Sequence, residues 1–169
     1  DVGGQMFGGG DRKIVQLGED GKPQKSFDTN IRRPSVSNFG NMLLVGDLDT
    51  RNIHTMDPKT GQLKILIGLN QVGKTGPSII PGSDTLNSGE FAGVASDGKN
   101  IFVSVRAGFS SSIYKIDPNT KQVLGSGWAG GPDPDAMAYG PGGLLVSVGE
   151  GTQIRRMSDN LEQSMDRVD

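Results

Sequence analysis

Three observations predict an all-β chain built from repeated four-stranded antiparallel units. Four segments begin alike: IVQLGEDGKPQ at Ile14, IHTMDPKTGQ at Ile53, IYKIDPNTKQ at Ile113 and IRRMSDNLEQ at Ile154, at spacings of 39, 60 and 41 residues. Each carries an apolar residue three positions on (Leu17, Met56, Ile116, Met157) and a Gln nine or ten positions on (Gln24, Gln62, Gln122, Gln163). Glycine supplies 27 of the 169 residues, which favours tight turns over long helices, and no capped stretch of helical period competes. Short strands in units of about 40 residues are the mark of a β-propeller blade.

The third unit displays all four strands: FAGVAS, NIFVSV, SIYKID and QVLGSG, each near the usual strand length and bounded by turn residues. NMLLVGD and GLLVSVG fill the second-strand place in the second and fourth units. Val45 and Val146 each precede their Ile by eight residues, and Val103 precedes its own by ten. Met6 holds the offset of eight in the first unit. Nine residues before these valines stand Val36, Val94 and Met137. DPKTGQ and DPNTKQ are turns by mechanism: Asp accepts bonds from nearby backbone N–H groups, and Pro presets φ at the next position.

A single blade cannot bury both faces of its sheet, so neighbours must stack on it. Along the third strands Ile53 and Ile113 point to one face, and Met56 and Ile116 to the other. Val45, Val103, Val146, Ile53, Ile113 and Ile154 are therefore expected in the core. The units run 1–30, 31–69, 90–128 and 132–169, with an insertion at 70–89. The first unit lacks its inner strand, which makes fifteen strands. A larger propeller, or a further chain completing this one, is the expectation, since an open ring leaves unpaired edges and bare faces.

Composition narrows the function. The hydrophobic fraction of 33%, taken with the glycines, is that of one ordinary globular domain. Net charge is −2 with both signs interspersed and no basic block, so no nucleic-acid surface is expected. The absence of cysteine excludes disulfides, thiolate metal sites and a Cys nucleophile. One histidine, His54, cannot make a multi-His metal site. No apolar run reaches the ~18 residues of a membrane span. The first residue is Asp rather than Met, which suggests a processed chain or a piece of a longer one.

PDAMAYGPGGLLVSVGEGTQIRRMS resembles the repeat of the NHL, YncE-like and streptogramin-lyase-like propellers: Pro, small apolar residues, a Gly-rich turn, an apolar strand, then I-x-x-[IM]-[DS]. FAGVASDGKNIFVSV, continued by SIYKIDPNTKQV, is similar to it too, and the resemblance covers nearly the whole chain. It implies the propeller architecture and an extracellular or periplasmic location. It leaves activity open, because this architecture hosts hydrolases, lyases and pure binding proteins. The lyase-like members imply a catalytic His near the central channel. His54 instead aligns with Val15, Tyr114 and Arg155, a third-strand place between blades, and is read as a packed or partly exposed side chain rather than a general base.

Residues 64–78, KILIGLNQVGKTGPS, match the phosphate-loop pattern through Gly68, Gly73, Lys74 and Thr75. Such a loop works when a helix N-terminus follows and faces the anion. Here Gly76, Pro77, Pro81 and Gly82 follow, a composition hostile to helix. The repeat already uses the preceding apolar run as a blade's outer strand. No nucleotide is expected at this loop, which reads as an exposed surface insertion.

In propellers the fourth-to-first connections and the second-to-third turns line one face, where ligands bind. Those loops hold Arg32, Arg33, Glu90, Asp133 and Asp135 in the first group, and Asp47, Asp49, Arg51, Arg106 and Glu150 in the second. Arg33, Asp47, Asp49, Arg51, Glu90, Arg106, Asp133, Asp135 and Glu150 are the candidate ligand contacts. Glu90, Asp133, Asp135 and Glu150 carry the oxygen donors that Ca²⁺ or Mg²⁺ would use, although no diagnostic spacing is present. No other cofactor and no catalytic residue is assigned. Trp128 is read as a cap over the edge of the third blade. The favoured reading is a non-catalytic binding or scaffold propeller that engages a protein or small-molecule partner. The alternative is a metal-assisted lyase or hydrolase of streptogramin-lyase-like or lactonase-like type, with part of its site outside this chain.

Overall fold

The computed structural model describes residues 4–72, 83–107, 111–128, 134–149, 151–161 and 163–168. Four sheets follow one another in chain order, and every strand pairs antiparallel with its sequence neighbour. The first sheet has three strands, β1 (Met6–Gly10), β2 (Lys13–Leu17) and β3 (Pro23–Asp28). The second has β4 (Pro34–Phe39), β5 (Met42–Asp47), β6 (Asn52–Met56) and β7 (Leu63–Gly68). The third has β8 (Glu90–Ser96), β9 (Ile101–Arg106), β10 (Ser112–Asp117) and β11 (Gln122–Gly127). The fourth has β12 (Met137–Gly140), β13 (Gly143–Val148), β14 (Gln153–Met157) and β15 (Gln163–Val168). This is the predicted all-β plan, with the first unit one strand short.

The turns form by the chemistry their sequences carry. Asp57 Oδ1 accepts the Lys59 N–H at 2.8 Å, and Asp117 Oδ1 accepts those of Asn119 and Thr120 at 2.8 and 3.3 Å. Asp97 does the same for Lys99 and Asn100 in the SDGKN turn. These bonds hold the Asp117 carboxyl below its ordinary range, the Asn119 amide contributing most.

Each blade packs its forward face on the rear face of the next. Ile14 of the first blade meets Leu43, Val45 and Met56 of the second. Leu44 and Ile53 of the second meet Val94, Val103, Tyr114 and Ile116 of the third. Phe102 and Ile113 of the third meet Met137, Leu144, Val146 and Met157 of the fourth. The approach is close enough to require glycine at Gly46, where a Cβ would lie 2.8 Å from the Phe91 ring. At Gly93 a Cβ would collide with the Asp135 carbonyl oxygen.

Three expectations change. Ile154 is 43% exposed, not buried, because its face of the fourth blade looks away from the third. Met6 is not the equivalent of Val45. The β1–β2 hairpin turns on Asp11 and Arg12 alone, so Gly8 pairs with Val15 as Val45 pairs with His54, and Met6 takes the place of Leu43. The insertion at 70–89 is no plain surface loop at its described ends. A 3-10 turn (Leu69–Gln71) and a short helix α1 (Ser83–Ser88) flank it, and Leu69, Val72 and Leu86 are buried in the core between the second and third blades. Gly73, Lys74 and Thr75 of the phosphate-loop match lie outside the described residues.

Candidate functional site

The loop face is organised by a chain of ion pairs running across three blades. Arg32 and Arg33 sit on the connection into β4, Asp49 on the β5–β6 turn, Glu90 at the start of β8, Arg106 at the end of β9, and Asp135 just before β12. Arg32 Nε donates to Asp49 Oδ2 at 2.9 Å, and its Nη2 to Oδ1 at 3.3 Å. Arg33 bridges outward: Nη1 reaches Asp49 Oδ1 at 3.4 Å and Nη2 reaches Glu90 Oε1 at 3.1 Å. Arg106 completes the chain, with Nη1 3.8 Å from Glu90 Oε2 and Nη2 donating to Asp135 Oδ1 at 2.6 Å.

Signs alternate along this line, and each carboxylate touches one or more guanidinium groups. The Arg32 hydrogen bond is the main cause that holds the Asp49 carboxyl below its ordinary range, and the same bond raises the Arg32 guanidinium. Exposed pairs of this kind add little stability singly. Their consequence is positional: the flexible arginines are fixed in one arrangement on a rigid scaffold.

Beneath this line the blades are tied by uncharged bonds. The Val94 N–H donates to Ser35 Oγ at 3.2 Å, joining the third blade to the second. Ser104 Oγ donates to the Asp135 carbonyl at 3.1 Å, joining the third to the fourth and fixing the backbone that carries the Asp135 carboxylate.

Of the nine predicted ligand contacts, the structure brings Arg33, Asp49, Glu90, Arg106 and Asp135 into this chain. Two others have structural partners. Asp47 is buried, and its Oδ1 accepts the Asp49 and Thr50 N–H groups at 3.0 and 3.2 Å, shaping the turn that presents Asp49. Arg51, at φ 65°, turns its guanidinium to the Leu86 and Gly89 carbonyls and so pins the end of α1 and the residue after it. Burial lowers its pKa. Asp133 and Glu150 lie outside the described residues.

Among the described residues no three or more His, Asp or Glu side chains group as metal ligands. Glu90 and Asp135, two of the predicted oxygen donors, have the Arg106 guanidinium between them, where a shared cation would sit. His54 lies half-buried on β6, facing Val45 and Ile65 in register, away from the ion-pair chain. Trp128 is more than half exposed just past β11. Sequence reasoning missed the helix clamp of Arg51. Its only trace was a basic residue in a turn followed, 35 positions later, by a carbonyl no pattern could single out.

No protein-family model and no curated protein sequence matches the chain. Solved structures do match its fold. Glutaminyl cyclase from Myxococcus xanthus aligns over all of this chain and 72% of its own, at 15% identity and a TM-score of 0.60. The WD40 β-propeller domain of Doa1 aligns over 99% of this chain and 51% of its own, at 14% identity and the same TM-score. Regucalcin from Agrobacterium tumefaciens, a calcium-binding protein, aligns over 80% and 43%, at 16% identity and a TM-score of 0.54. Stacked antiparallel sheets in chain order, matched to these structures, define a β-propeller-type fold. The chain spans about half the length of several of the structures it matches.

Proposed function

We propose that this chain is a non-catalytic binding module whose loop face engages a protein or small-molecule ligand through the line from Arg32 to Asp135. One observation carries the reading: paired charges on a rigid rim that remain accessible, Glu90 at 48% and Asp135 at 44% side-chain exposure. Function concentrates where loops are held by a stiff frame. Alternating guanidinium and carboxylate groups complement a peptide segment of mixed charge, and such complementarity sets specificity more than raw affinity. The fold alone does not choose, since a cyclase, a calcium-binding protein and a WD40 domain share it. The position of Arg106 between Glu90 and Asp135 weighs against a metal-assisted hydrolase using those two carboxylates. An extracellular or periplasmic location belongs to the same proposal and rests on the repeat resemblance.

A peptide array of mixed-charge sequences tests the reading. Wild-type protein is expected to retain a subset of peptides that Arg33→Ala and Arg106→Ala variants lose. Retention indifferent to both changes overturns it. So does Ca²⁺- or Mg²⁺-dependent hydrolysis of lactone or ester substrates that Glu90→Gln abolishes.

A further inference from the structure

Glu90 differs from the other two carboxylates of the ion-pair chain in how it is held. Asp49 accepts three hydrogen bonds from Arg32 and Arg33, and its backbone N–H is fixed on Asp47. Asp135 has the shortest contact of the chain, 2.6 Å to Arg106, and its backbone is bonded on both sides, its N–H to the Ser147 carbonyl and its carbonyl to Ser104 Oγ. Among the described residues the Glu90 side chain has one hydrogen bond, from Arg33 at 3.1 Å, and a looser contact to Arg106 at 3.8 Å. It is also the most exposed of the three, at 48% against 31% for Asp49 and 44% for Asp135.

Arg33 and Arg106 do not depend on Glu90 for their places. Each commits one terminal nitrogen to an anchor: Arg33 Nη1 to Asp49, Arg106 Nη2 to Asp135. The other two, Arg33 Nη2 and Arg106 Nη1, converge from neighbouring blades on the two oxygens of one carboxylate. Guanidinium groups disposed in this way recognise a carboxylate by shape as well as charge. The anchors orient both side chains before any ligand arrives, so less ordering is required on binding. The Glu90 pairs themselves, exposed to water, contribute little stability and exchange readily.

We propose that Arg33 and Arg106 form a carboxylate cradle, that Glu90 fills it as an internal stand-in, and that the ligand of the rim enters by displacing Glu90 with a carboxylate of its own. That carboxylate is an acidic side chain or the free carboxyl end of a peptide. Asp49 and Asp135 flank the cradle and suit a basic group beside it. Glu90 is then a self-competitor, lowering the apparent affinity by the fraction of molecules in which it occupies the cradle. This proposal rests on the binding reading above; it names the ligand chemistry and the group that regulates access.

The sign of a substitution tests it. NMR of the arginine Nε–Hε groups of the 169-residue chain follows titration, at constant ionic strength, with acetyl-Ala-Glu-Ala amide, with acetyl-Ala-Ala-Ala bearing a free carboxyl end, and with inorganic phosphate. Glu90→Ala and Glu90→Gln are expected to bind one or both peptides at least ~5-fold more tightly than wild type, with shifts at Arg33 and Arg106, and to favour them over phosphate. The two peptides separate a side-chain source from a terminal one. Adding Arg33→Ala to Glu90→Ala is expected to abolish the gain. Asp135→Asn removes the same charge but leaves the cradle filled, and is expected to give no gain. Unchanged or weaker binding in both Glu90 variants, a gain that survives Arg33→Ala, an equal gain in Asp135→Asn, or a preference for phosphate overturns the proposal. Peptide retention that depends on Arg33 and Arg106, without a gain in the Glu90 variants, overturns this proposal alone; the gain, with an array indifferent to both arginines, overturns the module reading alone.

Discussion

Ile113 and Ile154 hold the same place in successive blades, on the third strand and toward the forward face, yet one is fully buried and the other 43% exposed. Their own sheets are alike: Ile113 pairs with Ser104, and Ile154 with Ser147. The difference lies in the neighbour, since the forward face of the third blade meets the fourth. Burial in this molecule is a property of junctions between blades, as expected where each repeat touches only those beside it. The repeat pattern marks a residue as meant for a junction without saying whether that junction is filled.

The comparison breaks most readily at Ile113 itself. Ile113→Ala is expected to cost ~2–5 kcal/mol in urea unfolding, because it opens a cavity between two blades. Ile154→Ala is expected to stay within ~0.5 kcal/mol, as exposed positions do. Equal losses would show that the two places are equivalent after all.

Glycines at a filled junction and away from one sharpen the point with a smaller effect. Gly93→Ala pushes a methyl group into the Asp135 carbonyl of the next blade and is expected to cost ~1–3 kcal/mol by overpacking. Gly140→Ala, where a Cβ meets nothing within 4 Å, is expected to change stability by no more than ~0.5 kcal/mol. Thermal unfolding of the two variants side by side is the measurement.

The smallest effect tests the filled junction between the third and fourth blades through a proton. Tyr139 of β12 stacks on Phe102, rings 5.6 Å apart and nearly parallel, and its hydroxyl donates to Asp159 Oδ1 at 2.6 Å. That hydrogen bond is the main reason its pKa is pushed up to about 12. The folded value is raised, so the stability it contributes is fully present below the ordinary phenol range and disappears as pH climbs through about 12. An NMR titration of the Tyr139 ring should show late ionisation, and Asp159→Asn should bring it earlier. An unchanged titration in that variant would separate the two groups.

What was legible in the sequence follows from these junctions. The repeated Ile, with an apolar residue three places on, located β2, β6, β10 and β14, because alternation on a strand forces those two side chains to opposite faces. The same register put Arg33, Asp49, Glu90, Arg106 and Asp135 on loops at one end of the blades, which is why their convergence was open to inference. The pairing order was not, since it depends on which way each long guanidinium extends. Helix α1 escaped notice because SDTLNS is too short to announce itself; Arg51, a residue of another turn, holds its end. The two-residue β1–β2 hairpin hid in the same way, since counting from Ile14 presumed a turn of constant length.

The clamp by Arg51 bears on how this chain tolerates change. Leu69 and Val72 on one side, and Leu86 with the two carbonyls held by Arg51 on the other, moor both margins of the inserted segment to the body of the protein. Sequence added between these moorings is expected to cost closure entropy alone, about 0.6 kcal/mol for each doubling of length. The junction of the second and third blades is therefore a port where evolution, or an engineer grafting a foreign peptide, alters what the molecule displays without renegotiating how it folds.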